Sequence, residues 1–189
     1  MIPSFRIYGL VLLLSVFYRI PNSHSQTIPL AADKGPKIEW LTFEEAYQRI
    51  KKKPKMVFVD VYTEWCGWCK KMDCQTFSNP EIADYMNKTF YCVKLDAERK
   101  DTVVLVSVVF VNPNPENKRS SHRLAVELLR GKMSYPSYVF LNKKGEMITV
   151  VPGFHPPKEF EPMLHFFGDG AWEKMKWEEF SEGFKGKVQ

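Results

Sequence analysis

Two hydrophobic patterns alternate along most of the chain: apolar residues at helical spacing, and short apolar runs that are typical of buried strands. Apolar residues recur at helical spacing over 43–50, behind Thr42 and Glu45 at the spacing of a capping box, so a first helix is predicted here. The run 56–62 is short, β-branched and nearly all apolar, which is typical of a strand covered on both faces. Asp60 stands inside that strand, and an acid at a buried position requires an explanation.

The same two patterns predict the remaining elements. A second helix opens at Cys66 and runs through Phe77, and a third begins near Pro80, behind a cap residue. The run 103–111 is the most β-prone in the chain and leads into a turn-rich stretch, so it predicts an inserted strand or hairpin. The other predicted elements are strands at 90–95, 138–141 and 147–151, helices at 124–129 and 156–167, and a tail helix over 171–184 packed on the domain.

The composition fits one globular domain. The chain has 189 residues, of which 44% are hydrophobic and 26% charged, enough apolar side chains for a core of its own. The formal net charge of +5 comes in short lysine groups such as 51–53, without the arginine and aromatic interleaving of a nucleic-acid surface. We therefore expect a solvated basic surface and no nucleic-acid partner.

Residues 1–25 have the layout of a secretory signal peptide. Arg6 supplies a positive start, 7–17 is mostly apolar, and small residues mark a cleavage site before Gln26. The apolar stretch of about 11 residues is well short of the roughly 20 that a membrane-spanning helix needs, so a cleaved signal is favoured over a permanent anchor. We expect an exported protein, in the periplasm or outside the cell, that meets the membrane through its signal peptide alone. A leader over 26–37 follows the signal.

Cys66 and Cys69 carry the main chemistry that the sequence offers. They follow a predicted buried strand and open a helix, where backbone N–H groups and the helix dipole stabilise a thiolate. Cys66 is placed as the nucleophile, with an exposed sulfur, and Cys69, one turn further in, is placed to resolve a mixed disulfide. Such a pair is a reversible two-electron switch that needs no cofactor.

The other two cysteines, Cys74 and Cys92, decide whether the C-x-x-C pair could instead belong to a zinc site. Half of a zinc site also has the C-x-x-C spacing, but zinc needs a second pair of ligands, which Cys74 and Cys92 are not placed to supply. No metal site is therefore expected. Both cysteines are predicted to be buried and to act as small hydrophobic residues, and a structural disulfide between them is left open.

The run 59–70, with its C-G-W-C motif, resembles the active-site strand and turn of the thioredoxin family. Further matches follow in the family's order: 135–137 resembles its cis-proline loop, 93–96 its third strand, and Gly153 the glycine after its last strand. The resemblance covers about 38–168. It is strongest to bacterial exported thioredoxin-like proteins and to the C-terminal periplasmic domain of the membrane thiol reductant conductor, which share the pattern of 69–80.

The resemblance implies an α/β protein of the thioredoxin-like fold, with a central mixed sheet flanked by helices over 38–168. Two additions accompany that domain: an inserted strand or hairpin at 101–121 and a C-terminal helical extension at 169–189. Trp68 in place of the proline of ordinary thioredoxin, together with the insertion, sets this chain apart, so the resemblance does not determine its partner or its redox potential.

The resemblance also implies how the proton is handled. Asp60 matches the family's buried acid, and Lys94 matches the lysine that pairs with it. A carboxyl group in an apolar strand has a raised pKa, so Asp60 would accept the proton from Cys69 when that thiol attacks. A purely structural ion pair is the alternative.

A substrate-binding surface is implied around the motif. Pro136, in the cis form, and its neighbour Tyr135 would present a short backbone edge to an incoming peptide. Trp65, Gly67 and Trp68 would form an apolar rim beside the exposed sulfur, with simple packing as the alternative for the tryptophans.

Together these features favour an exported, monomeric thiol-disulfide oxidoreductase that reduces protein disulfides through a mixed-disulfide intermediate. Its expected partners are disulfide-containing proteins and an upstream thiol donor. Reductases, isomerases and oxidases share the motif, so the preferred direction rests on the Asp60 and Lys94 pattern, which resembles reducing members. Two alternatives stay open: a thioredoxin-fold binding module without turnover, and a dedicated reductant for copper- or haem-site maturation.

Overall fold

The computed structural model describes residues 35–188. The predicted signal peptide, 1–25, and most of the predicted leader lie outside the described residues, so both stay predictions. The elements, in chain order, are β1 (Trp40–Leu41), α1 (Phe43–Lys52), β2 (Met56–Tyr62), α2 (Gly67–Met72), α3 (Pro80–Thr89), β3 (Phe90–Asp96), β4 (Val103–Leu105), β5 (Val108–Phe110), α4 (Arg123–Leu128), β6 (Ser137–Leu141), β7 (Met147–Pro152), α5 (Pro157–Gly168) and α6 (Trp177–Gly183). A π-helical turn, Asp73–Phe77, continues α2, and a 3-10 turn, Ala171–Glu173, precedes α6.

Five of the strands form one mixed sheet in the order β1-β3-β2-β6-β7. The central strand β2 runs parallel to β3 and antiparallel to β6. Because β2 is paired on both edges and covered on both faces, its run of apolar residues is buried, as the hydrophobic pattern predicts. The predicted α/β class with a central mixed sheet flanked by helices is confirmed.

The two faces of the sheet carry separate hydrophobic cores. Phe58 points to the face covered by α2, α3 and α5, where it meets Phe160. Its neighbour Val59 points to the opposite face, where Ala46 of α1 and Leu124 of α4 are buried. Since side chains on a strand alternate between faces, Asp60 shares the first face with Phe58. The acid therefore lies under α2, the helix that carries the cysteines.

The predicted insertion forms a hairpin of its own. Strands β4 and β5 pair antiparallel as a separate two-stranded sheet, and the turn between them passes through Val106 and Ser107, both at positive φ. Val103 and Leu105 are buried against the second core, whereas the outward-facing Val104 is exposed. The insertion thus contributes apolar side chains to the domain.

The C-terminal segment differs from the single tail helix predicted over 171–184. The chain makes one 3-10 turn, becomes extended at Lys176, and only then enters α6. The break removes Met175 from the helical stripe and leaves it exposed. Trp172 and Phe180 still pack against the first core, as predicted, and Trp177 packs there with them. No helix among residues 35–188 has both the length and the apolar character to cross a membrane.

Candidate functional site

A tight turn brings the C-terminal end of β2 into the cysteine motif. The carbonyl of Thr63 accepts a hydrogen bond from the backbone N–H of Cys66, at 3.1 Å. Cys66 is the N-cap residue of α2, and its sulfur accepts a hydrogen bond from the backbone N–H of Cys69, at 3.0 Å. The two cysteines are joined by a disulfide bond, with their Cα atoms 5.3 Å apart. The structure is therefore that of the oxidised pair.

Both cysteines of the pair are largely covered in this state. Cys66 is 4% exposed and Cys69 is 2% exposed. The expectation of an exposed Cys66 sulfur is wrong for the oxidised protein, because the bond to Cys69 holds that sulfur over the first turn of α2. The neighbouring side chains of Trp65 and Trp68 are exposed, at 52% and 57%.

An ionic cluster that extends from a buried carboxyl group to the surface lies on the same face of the sheet as α2. Asp60 is 1% exposed, and its Oδ2 lies 2.7 Å from Nζ of Lys94, the residue directly opposite it on β3. Nζ of Lys94 also pairs with the carboxylate of Asp73. Burial raises the pKa of Asp60 from 3.8 to about 6, although Lys94 acts in the opposite direction. The core thus holds a carboxyl group that titrates near neutral pH.

Asp73 is a member of this cluster that the sequence interpretation missed. It is the first residue of the π-helical turn and follows Cys69 by four positions. Residues four apart lie on one face of a helix, so its position relative to Cys69 was the signal that could have identified it. One cation, Lys94, consequently serves two carboxylates.

Two further buried oxygen atoms in this region stand out. Among the described residues, neither Oδ1 of Asp60 nor the hydroxyl of Tyr138 has a hydrogen-bond partner. Tyr138 lies directly opposite Asp60 on β6 and is fully buried. Burial, followed by the charges of Asp60 and Asp73, raises the pKa of the Tyr138 hydroxyl above its ordinary value. Sequence interpretation assigned no role to Tyr138.

The peptide bond between Tyr135 and Pro136 is cis, as the resemblance predicts. The carbonyl of Pro136 accepts a hydrogen bond from the backbone N–H of Gly153, at 2.8 Å. The ring of Tyr135 contacts the ring of Trp65 edge to face, with centroids 5.9 Å apart. The proline loop therefore lies next to the cysteine loop.

Trp65 is held from two sides. Its indole N–H donates a hydrogen bond to the carboxylate of Glu98, at 2.8 Å. The guanidinium of Arg119, from the segment after the inserted hairpin, lies 5.0 Å from the centre of its ring. The insertion thus contacts the edge of the candidate site, which nothing in the local pattern indicated.

Trp68 is held on the other side of the motif. Its ring packs against Phe154, with centroids 5.6 Å apart, and the ammonium of Lys71 lies 4.9 Å from the centre of the indole. Gly67, between the two tryptophans, has open space where a Cβ would stand. The two tryptophans therefore form exposed walls on either side of the disulfide.

The remaining cysteines are free thiols and lie in different environments. Cys92 is buried as predicted, and burial raises its pKa to about 12. The prediction that Cys74 is buried is wrong: it is exposed, because five residues after the buried Cys69 it lies about 140° around the helix axis and faces away from the core. No disulfide links the two. Within residues 35–188 there is no group of three or more His, Cys, Asp or Glu side chains placed to hold a metal ion.

Most of the chain matches a known protein family. The sequence model named Thioredox_DsbH, described as "Protein of unknown function, DUF255", matches residues 19–168, most of the chain. The protein belongs to the Thioredox_DsbH family. The match includes the cysteine motif, the lysine on β3 and the cis-proline loop, so the site described above lies inside the region that defines Thioredox_DsbH proteins.

Individual relatives extend the comparison. The chain is 35% identical over 75 residues to mouse spermatogenesis-associated protein 20. The aligned region is 39% of this chain and 10% of the mouse protein. It is 26% identical over 133 residues to the disulfide bond reductase DsbH of Chlamydia pneumoniae, covering 69% of the chain and 70% of the relative. The match to the mouse protein therefore spans about a tenth of that protein's length.

Solved structures support the fold. A thioredoxin-fold protein from Helicobacter pylori matches with a TM-score of 0.53 and 18% identity, over 74% of this chain and 91% of that chain. The predicted thioredoxin-like fold is confirmed, and this member of the Thioredox_DsbH family carries it together with the inserted hairpin.

Proposed function

We propose that this protein is a thiol-disulfide oxidoreductase that reduces disulfide bonds in other proteins through the Cys66 and Cys69 pair. The observation that carries the proposal is the disulfide between two cysteines at the start of α2, the helix that covers the sheet face holding a buried carboxyl group whose pKa is about 6. The name of the Chlamydia pneumoniae relative, a disulfide bond reductase, supports the same reaction and direction.

The reaction requires two exchanges. In the reduced protein the thiolate of Cys66 attacks one sulfur of the substrate disulfide, forming a mixed disulfide and releasing a substrate thiolate that takes a proton from water. The thiolate of Cys69 then attacks the sulfur of Cys66, and the second substrate thiolate leaves. Two electrons and two protons reach the substrate, and the protein is left with the disulfide seen here.

Asp60 would act in the second exchange. Cys69 must lose its proton before it attacks, and a carboxylate with a pKa of about 6 accepts protons near neutral pH better than an ordinary aspartate. Lys94 then holds the carboxyl group in place through Oδ2, while Asp73 holds Lys94. The departing substrate thiolate is the final acceptor of that proton.

The exposed walls of the site would receive the substrate. Trp65 and Trp68 offer apolar faces on either side of the disulfide, and Tyr135 and Pro136 offer the adjoining backbone edge. Gly67 leaves the space between the walls open. A polypeptide that carries an exposed disulfide fits such a surface.

We further propose that the protein acts as an exported monomer, in the periplasm or outside the cell, with a signal peptide over 1–25, a leader over 26–37 and a helical extension over 169–189. An upstream thiol donor would return the pair to the dithiol state, since each turnover leaves it oxidised.

An insulin-reduction assay with a dithiol supply tests the function. Cys66→Ser and Cys69→Ser are expected to lower the rate to the uncatalysed background, whereas Cys74→Ser, which removes an exposed thiol outside the pair, keeps the wild-type rate. Equal rates in all four proteins would point to a binding module instead. Trapping with Cys69→Ser separates a general reductase, which captures many clients, from a dedicated reductant, which captures one.

A further inference from the structure

We propose that Tyr138 is a positioning residue for the proton acceptor: its hydroxyl is hydrogen-bonded through one water molecule to Oδ1 of Asp60. For Tyr138 to influence turnover, the redox function proposed above must hold. The link between the two side chains can be measured without any turnover.

The strand register places the two side chains together. Asp60 on β2 and Tyr138 on β6 are direct partners in an antiparallel pair, so both project from the same face of the sheet with their Cβ atoms about 5 Å apart. Both are almost completely buried. Two polar groups are therefore enclosed side by side in one core.

Packing determines where the hydroxyl of Tyr138 lies. Its ring stacks on Phe58, with centroids 5.6 Å apart, and meets Phe77 and Phe160 edge on, at 6.1 and 5.2 Å. The ring of His155, on the segment after β7, lies 6.1 Å away. The three phenylalanines accept no ordinary hydrogen bond, so the hydroxyl must find its partner beyond them.

The hydroxyl of Tyr138 can donate a hydrogen bond, and Oδ1 of Asp60 can accept one. Both atoms are buried, and neither has a partner among residues 35–188, whereas the large majority of buried polar atoms in proteins are hydrogen-bonded, often through an ordered water. One water molecule between the two atoms can accept from the hydroxyl of Tyr138 and donate to Oδ1 of Asp60, which would satisfy both.

The charged and titratable groups around Asp60 leave Tyr138 as the donor to Oδ1. Lys94 on β3 holds Oδ2, and Asp73 on the π-helical turn is an acceptor occupied by Lys94. Cys69 on α2 carries no proton while it is in the disulfide. Donation from Tyr138 stabilises the charged form of Asp60 and so lowers its pKa. Tyr138 thereby limits how far burial raises that pKa.

The test is the titration of Asp60 in the oxidised protein, followed by the carbon chemical shift of its carboxyl group. Tyr138→Phe, which keeps the ring, is expected to raise the midpoint by about one pH unit. The matched control is Tyr91→Phe, which removes a hydroxyl that donates to the carbonyl of Lys53 on the far side of the sheet, and it is expected to leave the midpoint unchanged. A midpoint that does not move in Tyr138→Phe overturns the proposal.

Two further measurements keep the test decisive. The pH profile of disulfide reduction is expected to shift with Tyr138→Phe in the wild-type background and to stay unchanged in the Asp60→Asn background; an equal shift in both overturns the proposal. If Tyr138→Phe does not fold, a high-resolution crystal structure of the wild type decides, since a water within hydrogen-bond reach of both atoms is required. A protein that fails to reduce insulin but shows the shifted titration would refute the function and leave this link standing.

Discussion

Replacing Asp60 by asparagine is expected to stabilise the oxidised protein at neutral pH. The pKa of Asp60 rises from 3.8 in an ordinary environment to about 6 in the folded protein, so between these values the folded state binds a proton that the unfolded state lacks. The stability linked to that proton is fully present below pH 3.8 and is lost as pH rises through 6. Asparagine resembles the neutral acid at every pH and avoids the loss.

The size of the effect follows from the pKa. Each pH unit by which the pKa rises on folding is worth about 1.4 kcal/mol, so a rise from 3.8 to about 6 corresponds to about 3 kcal/mol. Because part of this change occurs below pH 4, the advantage of Asp60→Asn over the wild type should grow by about 2 kcal/mol between pH 4 and pH 7. Lys94 keeps its pairing with Asp73 in the variant, so the partly buried ammonium is not left without a partner.

Urea unfolding of the oxidised protein at a series of pH values between 4 and 8 measures this difference. Asp84→Asn is the matched control, because Asp84 is an exposed aspartate paired with Lys88 on the surface of α3, and its difference from the wild type should stay within about 0.5 kcal/mol. A difference for Asp60→Asn that is constant from pH 4 to pH 8 would contradict the raised pKa of Asp60 and, with it, the reason for assigning it the proton of Cys69.

Two other predictions concern residues away from the cluster. In the native, oxidised protein, iodoacetamide should alkylate the exposed Cys74 and leave Cys92 intact until the protein is unfolded, because Cys92 is buried and its pKa is about 12; mass spectrometry of the labelled protein checks this, and equal labelling would contradict the burial. Gly168→Ala should lower the free energy of unfolding by about 1–3 kcal/mol, because its Cβ would stand 2.5 Å from the hydroxyl of Tyr85. Gly183→Ala, which meets nothing within 4 Å, is the control, and equal losses in both variants would refute the packing argument.

Local signals in the sequence were enough for most of the secondary structure. Thr42 and Glu45 form the predicted capping box: the Thr42 side chain accepts from the N–H of Glu45 at 3.1 Å, and the Glu45 carboxylate accepts from the N–H of Thr42 at 2.8 Å. The apolar run 56–62 forms β2 with the predicted bounds. Both features depend on neighbours within a few residues, which a linear pattern contains.

The errors and omissions have a different origin. The predicted burial of Cys74 rests on the general tendency of cysteine to be buried and not on its place on the helix, which lies about 140° around the axis from the buried Cys69. Arg119 and Glu98 reach Trp65 from distant parts of the chain, and such contacts are determined by how the insertion folds. The pairing of Asp60 with Lys94 could be anticipated only through the resemblance, because strand register is a property of two segments and not of either alone.

The segment that contains the inserted hairpin leaves the central sheet and returns to it at one point. The carbonyl of Ala97 accepts a hydrogen bond from the N–H of His122, at 2.7 Å, and Arg123 bonds back to the carbonyl of Val111, at 3.0 Å. An excursion whose two ends are tied together in this way can lengthen or shorten without altering the pairing of any strand in the central sheet. Variation in this segment would therefore change the surroundings of Trp65, through Arg119. The strands that position the cysteine pair, Asp60 and Pro136 would stay the same.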